Sequence, residues 1–292
     1  MAITRAIDID ALAEDTIHKI QLHDRLTLPL NKIIELVHQL KEFELGRFML
    51  THGVLTSDRV DYICHNEVSP TGNALETWFL SKAPKMLAAR ERYYITQQVL
   101  QPRLQSNMML CILPCGVISK IAELDYSNVS DVRIIGYDYD IHGLVTAELK
   151  MQPLVDQKKV VLSLLKKNLW DLDDVEQHDV IVSNRLSALE SNPQKVAGLF
   201  RNFYRALKPG GVFVCSFFTP SPLQDPDHSP WSNIHEPDML IEHSIFVDIM
   251  NFHPAARSES DMISLLEVVG FQVVDLRYDS HKVYPTVVAQ KP

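Results

Sequence analysis

Five short runs of apolar and β-branched residues recur along the middle of the chain: MMLCIL (108–113), VRIIGY (132–137), VVLSLL (160–165), DVIVSN (179–184) and GVFVCSFF (211–218). Each is apolar on successive residues rather than on alternate ones, which predicts strands covered on both faces. Helical patterns separate them, and strand–helix alternation calls for parallel strands joined by crossovers. Two further runs, FQVVDLRYD (271–279) and YPTVVAQKP (284–292), close the chain with no helix between them. They predict an antiparallel edge. The expected fold class is therefore α/β: a doubly wound, mostly parallel seven-stranded sheet.

The helices between the runs carry their own start and stop signals. In PQKVAGLFRNFYRALKPGG (193–211), Val196, Leu199, Phe200, Phe203 and Leu207 form an apolar stripe, and Pro209-Gly210-Gly211 stops the helix and turns the chain into the next strand. In SESDMISLLEVVGF (258–271), Ser258 is placed to cap the start and Gly270 to end the helix. Residues 219–257 form a Pro-, His- and Trp-containing insertion, expected to hang over the carboxyl ends of the strands. The first hundred residues have helical spacing throughout. In LNKIIELVHQLKEF (30–43), Leu30, Ile33, Ile34, Val37 and Leu40 share one face, while Lys32, Glu35, Gln39 and Glu42 fall off it. The expected division is a helical appendage, residues 1–100, followed by an α/β domain, residues 101–292.

Composition narrows the function classes. At 292 residues the chain can bury the core of an enzyme, and its 46% apolar and 22% charged content is that of a globular protein. No window approaches the roughly 18 uncharged apolar residues of a membrane span. A net charge of −9 argues against a surface built to hold nucleic-acid phosphates. Acids at Asp8, Asp10, Glu14 and Asp15 occupy the place of a secretory peptide's apolar centre. The four cysteines, Cys64, Cys111, Cys115 and Cys215, are expected as reduced structural thiols, so the expected compartment is the cytoplasm. Twelve histidines show no metal-ligand spacing.

Chemistry is expected where LCILPCGVISK (110–120) leaves the first strand. Gly116 lets a backbone approach a ligand closely, although a lone glycine taken by itself reads first as a plain turn. Asp138 lies 22 positions further on, at the end of the second strand, where a carboxylate can accept both hydroxyls of a ribose; a capping role is the other reading. Asn168 follows the third strand, where its amide is placed either to bond an adenine with Leu169 covering the ring, or to start a turn. Ser183 and Asn184 end the fourth.

In this order, Cys115-Gly116, GYDYD (136–140), Asn168-Leu169, DVIVSN and LKPGG resemble the class I S-adenosylmethionine-dependent methyltransferases. The resemblance covers residues 105–220 and the closing strands. It implies S-adenosylmethionine as cofactor, with the Pro114, Cys115 and Gly116 loop under its methionine part and Asp138 on its ribose. Tyr139 would pack by the adenine, Asn168 and Leu169 would read the adenine edge, and Asn184 would line the methyl-donor end. On the helix before the first strand, Arg92 or Tyr94 would reach the cofactor while Arg90 points elsewhere. The chain departs from the family pattern at Ile112, where an acid usually stands, and at Pro114 and Ile118, which replace glycines.

The expected acceptor is a small molecule, although the sequence does not distinguish one from a protein side chain; neither nucleic acid nor membrane is expected as partner. Within the insertion, His235 is a candidate base for a hydroxyl or amine acceptor, against the alternative of a surface histidine. A carboxylate or phenolate would need no base. The departures at the loop motivate a second reading, a non-catalytic binding or regulatory protein on the same fold. A nicotinamide-dependent oxidoreductase would require a GxGxxG loop, which the sequence does not contain.

Overall fold

A computed structural model describes residues 8–292. They divide into two compact units. One takes in the described residues through Leu87 together with Asn233–His253; the other comprises Ala88–Ser232 and Pro254–Pro292. The division expected at residue 100 lies at 87/88, and residues 233–253 of the expected insertion belong to the N-terminal unit. The reason is apolar burial: Ile245, Phe246 and Met250 are buried in one cluster with Ile33, Val37, Met49 and Phe79. Residues 1–7 of the expected appendage lie outside the described residues.

In chain order the elements are α1 (Ile9–Gln21), α2 (Leu30–Leu40), α3 (Glu44–His52), α4 (Ser57–His65), α5 (Ala74–Ser81), α6 (Pro84–Leu100), β1 (Met109–Ile112), α7 (Ser119–Ala122), β2 (Val132–Asp138), α8 (Ile141–Asp156), β3 (Val160–Lys166), β4 (His178–Asn184), α9 (Pro193–Ala206), β5 (Leu207–Ser216), α10 (Glu236–His243), α11 (Glu259–Val269), β6 (Gln272–Arg277) and β7 (Thr286–Gln290). Among the described residues no helix is long and apolar enough to cross a membrane.

Local chemistry accounts for many of the ends. The Asp8 carboxylate accepts from the N–H groups of Asp10 and Ala11 at the start of α1, and Ser258 Oγ accepts from Asp261 N at the start of α11, which Gly270 closes at φ 111°. In α2 the buried residues are Ile33, Leu36, Val37 and Leu40. Leu30 is exposed, because a first-turn residue lies at the margin of the stripe.

The sheet order is β3-β2-β1-β4-β5-β7-β6, with β7 antiparallel to both of its neighbours. On one face Cys111, Ile181, Phe213 and Ala289 are buried with Phe200 and Phe203 of α9 and Leu266 of α11. On the other, Ile112, Ile134, Val182, Val214 and Val288 are buried with Val99 of α6, Ile121 of α7 and Ala147 of α8. One local expectation changes: Pro209-Gly210-Gly211 lies inside β5. Leu207 already pairs with His178, and the register then shifts before Val180 meets Val212. Gly210, at φ 77°, accommodates the bulge.

Candidate cofactor site

The sheet reverses direction of winding between β1 and β4, since the chain goes from β1 outward to β2 and β3 and then returns to the far side. In open α/β sheets the crevice outside the carboxyl ends at such a point is where ligands bind. β1 ends at Ile112, and its pairing continues one residue on as Leu113 N–H donates to Val182 O at 2.9 Å. The loop then crosses toward β2, where Cys115 N–H donates to Tyr137 O at 2.9 Å.

Gly136 makes that crossing feasible. A Cβ at this position would fall 2.6 Å from Leu164 Cδ2 and 3.1 Å from both Cβ and Sγ of Cys115, so a side chain there would push the loop off the sheet. Gly116 follows with φ 53°, a left-handed conformation that glycine adopts without cost. Its N–H donates to Asp138 Oδ2 at 2.7 Å, and the other oxygen, Oδ1, accepts from Asp140 N–H at 3.0 Å. Asp138 thus ties the β1 loop to the β2 turn. A carboxylate has about four acceptor positions, so two backbone bonds leave capacity for two hydroxyls.

Ile118 adopts φ 58°, a conformation rare for a β-branched residue, and it caps the short helix α7. The backbone here keeps the shape a glycine would give. Its side chain is buried in the cluster that contains Ile112 and Ile121, so that bulk is accommodated in the core. Ile112 is likewise core and offers no charge to an ammonium group. Burial, with a smaller contribution from the Asp138 charge, pushes the Cys115 thiol up to about 12. Burial raises Cys111 and Cys215 as well. These thiols are neutral at physiological pH, and all four cysteines are free and buried.

Asn184 stands at the end of β4, beside the switch point. Both polar atoms of its amide are buried and make no hydrogen bond among the described residues. Native proteins satisfy nearly all such atoms, because desolvating an amide without a partner is costly. The same holds for Ser216 Oγ at the end of β5 and Thr286 Oγ1 at the start of β7. Sequence reasoning singled out neither hydroxyl. The available signal was a lone hydroxyl ending the otherwise apolar VFVC run of a strand covered on both faces.

The remaining expected residues have other surroundings. Tyr139 is 72% exposed, with Lys166 Nζ 4.9 Å from its ring centre. Asn168 caps the single turn Leu169–Asp171, its Oδ1 accepting from Trp170 N–H and its Nδ2 donating to Asp171 Oδ2 at 2.6 Å. Leu169 is buried in the core with Leu113, Tyr137 and Leu172. Arg92 is buried, its guanidinium 4.9 Å from the Tyr284 ring centre, and Tyr94 is 46% exposed. His235 belongs to the N-terminal unit. It is exposed and caps α10, with Nδ1 2.8 Å from Asp238 Oδ2. Among the described residues no group of three or more His, Cys, Asp or Glu side chains is placed to hold a metal ion.

No family model and no curated protein matches the sequence. Solved structures do. A possible exported protein from Bordetella parapertussis is 32% identical, with a TM-score of 0.89, across 98% of this chain and 96% of its own. The magnesium protoporphyrin IX methyltransferase of Synechocystis PCC 6803, solved with bound SAH, matches with a TM-score of 0.53 at 12% identity, over 80% of this chain and 94% of that one. The S-adenosylmethionine-dependent methyltransferase SibL, in its apo form, matches with a TM-score of 0.53 at 14% identity, over 97% and 74%. The chain therefore belongs to one family with the B. parapertussis protein and has the class I, Rossmann-like fold of the S-adenosylmethionine-dependent methyltransferases.

Proposed function

We propose that this protein binds S-adenosylmethionine across the carboxyl ends of β1, β2 and β4 and transfers its methyl group to a small-molecule acceptor. The observation that carries the reading is the Asn184 amide, buried without a partner at the switch point of a sheet with this fold. In this reading the backbone of Pro114, Cys115 and Gly116 supports the methionine part, and Asp138 accepts the ribose hydroxyls while holding the loop through Gly116 N–H. Tyr139, Asn168 and Leu169 flank the adenine, Arg92 answers the cofactor carboxylate, and Asn184 faces the donor end.

Bound there, the cofactor supplies a methyl group already activated on a sulfonium. The chain's own work is to align the acceptor and exclude water. It needs no nucleophile, in keeping with thiols that burial holds neutral. The competing reading, a binding protein without turnover, draws on Ile112, whose buried side chain offers the ammonium group no acceptor. We place the activity in the cytoplasm on the strength of four free cysteines. The B. parapertussis relative is described as a possible exported protein, so fractionation of the native host is the direct check.

Titration calorimetry with S-adenosylmethionine and S-adenosylhomocysteine tests the assignment. Binding to the wild type, lost in Asn184→Leu and Gly116→Val with the fold retained, is the expected result. No heat at about 1 mM cofactor, a level that would still detect contacts worth about 4 kcal/mol, would overturn it. Binding of the cofactor with no methylated product from any acceptor class would favour the non-catalytic reading.

A further inference from the structure

The sheet register sets three polar side chains side by side. Asn184 is opposite Ser216 across β4 and β5, and Ser216 is opposite Thr286 across β5 and β7. Laterally paired residues project from the same face. Two positions inward along each strand lie Val182, Val214 and Val288, all in the cluster shared with α6, α7 and α8, so the row faces that side. Ser216 is 1% exposed and Thr286 0%. Neither hydroxyl, nor either end of the Asn184 amide, has a hydrogen-bond partner among the described residues. Buried polar atoms are nearly always paired, and a registered row of three unpaired side chains points to groups that bind a ligand.

The pairing continues past the row, as Phe217 N–H donates to Pro285 O and Thr219 N–H to Val283 O. This brings Phe218 and Tyr284 together, their ring centres 5.7 Å apart. Tyr284 carries two guanidinium groups, Arg92 at 4.9 Å and Arg185 at 5.4 Å from its ring centre. Arg185 directly follows Asn184, is left-handed at φ 64°, and donates its N–H to Ser216 O at 3.0 Å. The row and the arginine are thus held by one short piece of backbone. Two acids of this stretch are already engaged: Asp279 accepts from the N–H groups of His281, Val283 and Tyr284, and Glu91 from Ser280. The row and its neighbour Arg185 together offer an amide, two hydroxyls and a guanidinium, a donor set suited to an oxyanion.

We infer that the Asn184, Ser216 and Thr286 row, with Arg185 beside it, is the acceptor pocket and takes an acceptor bearing a carboxylate. The word acceptor rests on the proposed methyl transfer; the anion pocket stands on its own geometry. A carboxylate oxygen forms the new C–O bond with its lone pair while the donor's methyl–sulfur bond breaks and leaves its electrons on sulfur. The products are a neutral ester and a thioether, and no proton has to be removed, so no catalytic base is required.

Benzoate and its neutral counterpart benzamide are suitable probes, titrated by calorimetry or ligand-observed NMR with and without S-adenosylhomocysteine. Benzoate should bind the wild type at least about tenfold more tightly than benzamide, as expected for charge-assisted hydrogen bonds. The double variant Ser216→Ala, Thr286→Val should lose about tenfold, the worth of two neutral hydrogen bonds. Arg185→Gln should lose at least as much and Arg185→Lys less, with circular dichroism unchanged throughout. Equal binding of the two probes, or benzoate affinity that survives both sets of variants, overturns the inference. If S-adenosylhomocysteine fails to bind while benzoate behaves as stated, the cofactor reading falls and the anion pocket stands.

Discussion

Glu242 offers a quantitative test of how the N-terminal unit is held together. Its side chain is fully buried in α10, and both carboxylate oxygens accept from Lys85 N–H, at 2.9 and 3.0 Å. Burial outweighs the Lys85 charge and these hydrogen bonds, and lifts its pKa from 4.5 to about 7. The folded protein therefore keeps a proton that the unfolded chain gives up. The resulting stabilisation is complete below pH 4.5 and is lost as pH rises through 7, by about 3 kcal/mol at 1.36 kcal/mol per unit. The neighbouring His243 does the opposite. Burial, and then the charge of Lys85, lowers it from 6.5 to about 4, so its contribution is present above pH 6.5 and is lost as pH falls through 4. Between pH 4.5 and 6.5 the two slopes cancel.

Glu242→Gln removes one of the two. Below pH 7 the amide replaces a protonated carboxyl; its carbonyl still accepts from Lys85 N–H, and loss of the second contact lowers stability by about 1 kcal/mol as a constant offset in that range. On top of that offset, the stability of the variant should climb by about 3 kcal/mol from pH 4.5 to 6.5, where the wild type stays flat in these two contributions. Urea denaturation across this range reads it, followed by the fluorescence of Trp78, whose indole donates to Asp238 at 2.6 Å in the same unit. Trp170 and Trp231 are replaced by phenylalanine in both proteins. Parallel curves for wild type and variant would refute the reasoning. So would a slope that persists after His243→Gln is added.

Asp138→Ala should weaken S-adenosylhomocysteine binding by about 1.5 to 3 kcal/mol in calorimetry, and it should also speed exchange of the Gly116 amide hydrogen, because the same carboxylate holds that N–H at 2.7 Å. Unchanged exchange would show that the tie is not formed in solution. Gly136→Val should destabilise the α/β unit by about 1 to 3 kcal/mol through overpacking against Leu164 and Cys115, read as a lower thermal midpoint. Thr286→Val should do the reverse in the absence of ligand and stabilise by about 1 kcal/mol, since a methyl replaces a hydroxyl that has no partner. A destabilised Thr286→Val would mean that the hydroxyl is satisfied within the fold.

Some of the site could be read directly from the chain and some could not, and the difference is one of range. The β1 loop was recognisable because a glycine after an apolar run, with an acid 22 residues on, lies within one strand–helix–strand unit. That Asp138 spends two bonds on the backbone of that loop and the next turn was hidden, since the bond depends on how β1 and β2 settle side by side. Gly136 was invisible for the same reason: its need for no side chain comes from Leu164 and Cys115, which reach it only when β3 and the β1 loop are in place. Asn168 had two readings, an adenine contact and the start of a turn; its bonds to Trp170 N–H and Asp171 are those of the turn, and the adenine contact is left to the binding experiments.

The sequence by itself determined the seven strands, the order of strand and helix, and the helix ends at Ser258 and Gly270. Each of these depends on hydrophobic period and capping within a few residues. Only the tertiary structure decided that residues 233–253 share a core with the N-terminal helices, and that Asn184, Ser216 and Thr286 form one row. Those outcomes depend on the pairing of segments far apart in the chain. A local pattern states which face of a strand is apolar, but not which strand will lie beside it.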